Sequence, residues 1–344
     1  MTNKKAVQIL TTIVAALLTG HFFLAEPKDA PERLSRAATK VQAATAANDT
    51  VITINPLNLA EQNNNTVSLN DTVNSKQWCK AERNLTEQQR ITHRKAALEW
   101  DASRGNILIP DYRSAFESKN SNLIAPYVGM QLDKVIRHAQ NDDEFALLTL
   151  LQRKDAPKKA KDRSAHRLMV LGNTSLALSH LVMKELYLAK YEFAKEGTVS
   201  DAVKSHLLNS LAYVSYGIER LDASALRAYV IGTQPKNLNR DFNPDEALDE
   251  ISSANITDRK NHLIDYINAE RLQIHLEPVG NSHIPKIAQR EFDISVAILY
   301  ANFASQIGES ESLSKVSVYD FSRKSDCVSE YISKLTQSDS ASVQ

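Results

Sequence analysis

The sequence predicts an all-α fold, with antiparallel helical hairpins stacked as a degenerate repeat solenoid or bundle after an N-terminal transmembrane or signal helix. Three observations carry this expectation. Apolar residues recur at steps of three and four through the middle of the chain. Capping residues precede these stripes, and glycine or polar corners follow them. Only 9 glycines in 344 residues, with few β-branched alternations, argue against a sandwich or barrel.

Composition narrows the class. Hydrophobic residues make up 42% and charged residues 24%, enough apolar material for a globular core. Lys plus Arg and Asp plus Glu each total 41, so no global field favours nucleic acid, and none is expected as partner.

The first element is an export segment. Lys4 and Lys5 precede AVQILTTIVAALLTGHFFLA, residues 6–25, whose only titratable side chain is His21. At 1.5 Å per residue this run spans the roughly 30 Å hydrocarbon core of a bilayer. The lysines would remain cytoplasmic and send the rest outward. Cleavage after Ala25 would put Phe23, and after Gly20 would put Leu18, at a position needing a small residue. An uncleaved signal anchor is therefore favoured over a removed signal peptide. The first gives a single-pass inner-membrane protein with its C-terminal domain in a bacterial periplasm; the second gives a soluble periplasmic protein. In either compartment Cys79 and Cys327 suggest a disulfide, whose long loop would constrain the unfolded chain by roughly 5 kcal/mol. Two unpaired thiols are the alternative.

Residues 26–75 are rich in Ala, Asn and Thr without sustained period, and read as a disordered linker. A helical domain is expected over 76–310, then a Ser-rich tail over 311–344 with one short helix around Cys327. Within the domain, Thr86 and Gln89 have capping-box spacing and Leu85 is placed as a staple, so a helix should run from about 87 to 102 and stop at Gly105. Residues 175–194 are apolar on more than one face, as a helix between neighbours would be. After Gly197, Thr198 and Ser200 offer caps and Asp201 favours the start of a helix striped by Leu207, Leu211, Val214, Ile218 and Leu221. Asn243 and Pro244 start another, and Thr257 is positioned to cap the next.

One corner has a distinctive spacing. Small Ala139 and Ala146 let two helices approach, Leu150 fills the contact a turn later, Asp143 caps the second helix, and Asp142 takes a left-handed backbone. This arrangement resembles the Ala-x-x-Gly-Asp-x-x-Ala-x-x-x-Leu signature of Sel-like repeats, a subclass of tetratricopeptide-like helical repeats, with Asp142 where the family has glycine. Gly172 and Asn173 give a second match, although Leu176 stands where alanine is expected. A third candidate unit keeps Ala212, Tyr213 and Ala228, with Asp222 at its corner. The resemblance covers about residues 130–230, with a generic helical bundle as the competing architecture. The segment from Trp78 through Trp100 to Gly105 is also similar to segments preceding such repeats in bacterial envelope proteins.

No phosphate-binding glycine loop, nucleophile elbow or zinc-binding helix motif appears, and no cofactor is expected. SLSK (312–315) has the Ser-x-x-Lys spacing without its companion motifs and reads as chance. His138, His166, His180 and His206 fall on predicted helices with no ligand spacing between them. The stretch RKDAPKKAKDR (153–163) holds six positive and two negative residues; it is either a solvated loop or a contact for anionic headgroups or an acidic partner. Tyr187, Tyr191, Tyr213, Tyr216 and Tyr229 cluster in the central helices, either as core or as anchors for a partner.

The resemblance implies a scaffold or adaptor that binds another envelope protein, held to the inner membrane through residues 6–25. The alternatives are a cell-envelope enzyme using scattered acids such as Glu185 or Glu192, and a passive structural module. The sequence assigns no catalytic residue.

Overall fold

The computed structural model describes residues 85–109, 120–234, 237, 242–249, 251–281 and 284–316. The apolar run 6–25, the linker 26–75, Cys79, Cys327 and the tail beyond residue 316 lie outside the described residues. Among those described, all regular structure is helical, and no helix is long and apolar enough to cross a membrane.

Helix α1 (Glu87–Ser103) starts where the capping box predicts: Gln89 N–H donates to the Thr86 hydroxyl at 3.2 Å, and Thr86 N–H to the Gln89 side chain at 3.0 Å. A 3-10 turn (Ser121–Leu123) and the short α2 (Ala125–Val128) lead into three hairpins. These pair α3 (Leu132–Gln140) with α4 (Glu144–Gln152), α5 (Lys158–Leu171) with α6 (Thr174–Glu196), and α7 (Asp201–Glu219) with α8 (Ser224–Gly232). After α9 (Pro244–Ala247) come α10 (Ser253–Gln273), α11 (Lys286–Glu309), kinked at Phe303, and α12 (Glu311–Lys315).

The corner of the first hairpin matches its sequence signature. Asp142 is left-handed at φ 60°, and the Asp143 carboxylate accepts the N–H groups of Phe145 and Ala146 at 3.1 and 3.0 Å. Ala139, Ala146 and Leu150 are all buried, so the backbones close on small side chains.

The same ending recurs along the chain. Helices α1, α3, α5, α7 and α10 stop at left-handed Gly105, Asp142, Gly172, Leu221 and His275. Each of these donates its N–H three residues back, and the following residue donates five back, as Asn173 does to the Leu168 carbonyl at 2.9 Å and Asp222 to Gly217 at 2.7 Å. This double closure satisfies carbonyls that a helix end leaves bare. At the third corner the left-handed residue is Leu221, which stands before Asp222 where the signature would have its glycine. Asp222 takes the place that Asp143 and Asn173 hold in the other hairpins.

Packing brings the second helices of the hairpins together in series, α4 to α6 to α8, with α11 against α8. Helix α6 lies between α5 and α7, as its all-round apolar sequence implies. Helix α10 crosses both α5 and α7 and is pinned there by Arg271, which donates to the Val170 carbonyl at 2.6 Å, and by Lys260 on Glu219 at 2.5 Å. Its start is Ser252, in a capping box with Asn255, rather than Thr257, whose hydroxyl bonds back inside the helix to Ser253. Helix α1 packs on α11, joining the two ends of the domain.

Candidate functional site

Helices α5, α6 and α7 bring polar side chains together along one seam. On α5, Asp162 and His166 are one turn apart; on α6, His180, Lys184 and Glu185 face them; on α7 stand His206, Asn209 and Tyr213. His180 Nε2 lies 2.8 Å from an Asp162 oxygen, and Lys184 is 3.9 Å from the other. Across the same helix, Glu185 is buried, with His206 Nδ1 at 2.7 Å and Asn209 Nδ2 donating at 3.2 Å.

Electrostatics sorts these groups. Burial lowers the proton affinity of His166, and the nearby Lys184 cation lowers it further. At His180 burial also lowers it, with Asp162 opposing. The Tyr213 phenol is shifted upward by burial first and then by the Glu185 charge. Chemically, the seam offers two imidazoles of lowered proton affinity, His166 and His180, and a carboxylate, Glu185, that orients a third, His206, through Nδ1. That arrangement can pass a proton at the opposite ring nitrogen. Among the described residues no three His, Cys, Asp or Glu side chains are grouped to hold a metal ion.

The five tyrosines divide into two sets. Tyr213, Tyr216 and Tyr229 are buried core residues, the first of the two roles their spacing allowed, and do not present rings to a partner. Tyr216 is only 1% exposed, and burial pushes its phenol up to about 12. Tyr229 is fully enclosed and shares a 2.9 Å hydrogen bond with the Ser312 hydroxyl. That bond also settles the SLSK stretch. Ser312 is buried against Tyr229, and Lys315 Nζ donates to the Leu248 carbonyl at 2.7 Å, so both act as fasteners for α12.

Tyr187 and Tyr191, by contrast, are 43% and 54% exposed, one turn apart on α6. The ammonium of Lys158 sits 4.7 Å from the Tyr187 ring centroid. The basic stretch is split between a corner and a helix: Arg153 pairs with Asp155 at 2.6 Å and donates to the Met130 carbonyl, whereas residues 158–163 form the first turns of α5.

Sequence reasoning singled out Glu185 but passed over its partner His206 as an isolated histidine. It also passed over the Asp162–His180 pair. The i,i+4 spacing of Asp162 with His166 and of His180 with Lys184 marks one face on each helix, yet only tertiary packing sets those faces opposite each other. No family model, curated protein or solved structure matches this chain.

Proposed function

We propose that the protein is a scaffold or adaptor of the cell envelope, built from degenerate Sel-like repeats and binding another envelope protein through its helical surface. The observation that carries this reading is the pair Tyr187 and Tyr191, large amphipathic rings left in solvent on the central helix of an array whose other central tyrosines are buried. Support for the repeat comes from the shared closure at Asp142, Gly172 and Leu221, each followed by Asp or Asn. Residues 6–25 would anchor the domain to the inner membrane with its bulk in the periplasm; removal of that segment would leave it soluble there.

Photocrosslinking in cells from position 191, followed by mass spectrometry, tests the adaptor role. One recurrent envelope partner is the expected result; a chain that crosslinks to nothing removes the reading. A reporter enzyme active only outside the cytoplasm, fused after Gln344, should work, and its silence would remove the export assignment.

One observation favours a second reading, an envelope enzyme. Buried Glu185 orients His206, the arrangement of a general base held in one tautomer. Hydrolytic activity lost in His206→Gln would select it.

A further inference from the structure

Among the described helices α5 has the most cationic start, although α6, α8 and α11 likewise open with no side-chain cap and no acid. Helices α1, α4, α7 and α12 each open with a side-chain cap and an acidic residue in the first turn: Thr86 with Glu87, Asp143 with Glu144, Ser200 with Asp201, Ser310 with Glu311. Helix α5 opens after Pro157 with no side-chain cap and no acid, and places Lys158, Lys159 and Lys161 in its first turn. Cations at the positive end of a helix dipole weaken the helix, so these charges are not explained by the stability of α5. Departures from local rules are where functional constraints concentrate.

The two helices run antiparallel, so the start of α5 lies beside the second half of α6, where Tyr187 and Tyr191 emerge. The Lys158 contact with Tyr187 fixes this juxtaposition. Lys154, Lys159 and Arg163 are exposed as Lys158 is, on the start of α5 and the corner before it. The acids within the patch are already engaged: Asp155 by Arg153, and Asp162 by His180 and Lys184. On the α6 side Glu192 is engaged by Lys195, which leaves the exposed cations at the start of α5 beside two aromatic rings about 6 Å apart along the axis of α6.

We infer that this Lys158–Tyr187–Tyr191 surface is the docking site for an acidic segment of a partner protein, its carboxylates over Lys154, Lys159 and Arg163 and its apolar side chains against the two rings. The inference deepens the adaptor reading and rests on it, since it names the chemistry of the partner at the same tyrosines. Charge complementarity selects an acidic occupant. A peptide fits better than a lipid surface because the exposed large hydrophobics on α5 and α6 are Tyr187 and Tyr191 alone, with no exposed Leu, Ile, Phe or Trp beside them to insert among acyl chains.

The test uses the full chain in detergent and two fluorescein-labelled peptides, one of repeating Glu-Glu-Phe and one of repeating Lys-Lys-Phe, followed by anisotropy. The acidic peptide should bind and the basic one should not, with affinity falling as salt rises. Lys159→Glu with Arg163→Glu should weaken the acidic peptide by about tenfold or more and create binding of the basic peptide, a gain that misfolding cannot produce. Tyr191→Ala should weaken the acidic peptide by a similar factor with little change in salt dependence. Equal binding of both peptides, or an unchanged charge-reversed variant, overturns the inference. So does preferential binding to phosphatidylglycerol vesicles over the acidic peptide, which would make this a lipid surface. Crosslinking from position 191 separates the two readings. A recurrent partner there, with no response to the acidic peptide, leaves the adaptor standing and rejects the acidic segment.

Discussion

The Arg104 guanidinium lies 3.1 Å from the Asp222 carboxylate, joining the end of α1 to the corner between α7 and α8. The α5–α6 corner meets them there: Thr174 donates its hydroxyl to Asp222 at 2.8 Å, and Ser175 N–H donates to the Arg104 carbonyl at 2.8 Å. Asp222 also accepts the N–H of Ser224 at the start of α8. Three corners are thus bound through one ion pair whose side chains are 12% and 0% exposed. Removing Asp222 leaves the largely buried Arg104 with only Asp101, 2.8 Å away, and strips Thr174 and Ser224 of their acceptor. Asp222→Ala should therefore cost about 3–5 kcal/mol in urea unfolding. Arg104→Met combined with Asp222→Ala should cost less than the two single losses added, because the Arg104–Asp222 contact is then lost only once. A loss under about 1 kcal/mol for the single variant would show that the corner is open to water.

The same corner makes two left-handed glycines unequal. Gly172 has φ 96°, and an added Cβ would find its nearest neighbour at 3.9 Å, an ordinary contact. Gly172→Ala therefore carries backbone strain alone, about 1–2 kcal/mol. Gly105 has φ 71°, and its Cβ would lie 3.0 Å from the Asn173 Cβ and 3.1 Å from a Leu148 methyl. Gly105→Ala should cost visibly more than Gly172→Ala, with a lower midpoint in the same denaturation experiment. Equal losses would mean that the corners yield freely.

What the sequence made legible was local. Thr86, Asp143, Ser200 and Asn243 cap the helices they precede because a cap needs only the next three residues. The left-handed Asp142 and Gly172 were legible for the same reason. Leu221 was not. Its place in the apolar stripe is borne out, since it is 9% exposed and joins the core, and that burial offsets the left-handed backbone cost that a glycine would avoid. The choice of Ser252 over Thr257 turned on a reciprocal bond with Asn255. The spacing of the tyrosines told which of them share a helix face, but not which face looks inward. The crossing of α5 and α7 by α10, the Arg104–Asp222 pair and the Glu185–His206 pair all depend on distant segments meeting, for which no local pattern exists.

Two histidines give the fold an acid dependence. Burial holds His166 and His180 below the ordinary value of 6.5, to which both return when the chain unfolds. Below that value the unfolded chain takes up protons that the fold refuses. Their contribution is therefore complete above 6.5 and declines as pH falls toward the lowered folded values. The Tm should drop between about pH 7.5 and about pH 5.5, and His166→Gln should make that drop shallower. An identical slope in the variant would place the acid sensitivity elsewhere.

Glu185 and His206 supply a test that separates support from catalysis. The Glu185 side chain is 8% exposed and that of His206 26%, and the carboxylate also holds Asn209. Glu185→Ala strips two donors of their acceptor in a largely enclosed place and should cost about 2–3 kcal/mol. Glu185→Gln keeps an acceptor oxygen at the same reach and should lose about 1 kcal/mol, read as a smaller fall in the urea midpoint. If the pair is purely structural, crosslinking from position 191 should survive in Glu185→Gln, because Tyr187 and Tyr191 project from the exposed side of α6 while Glu185 is buried. Loss of the crosslink in a variant that still folds would tie the seam to the binding surface.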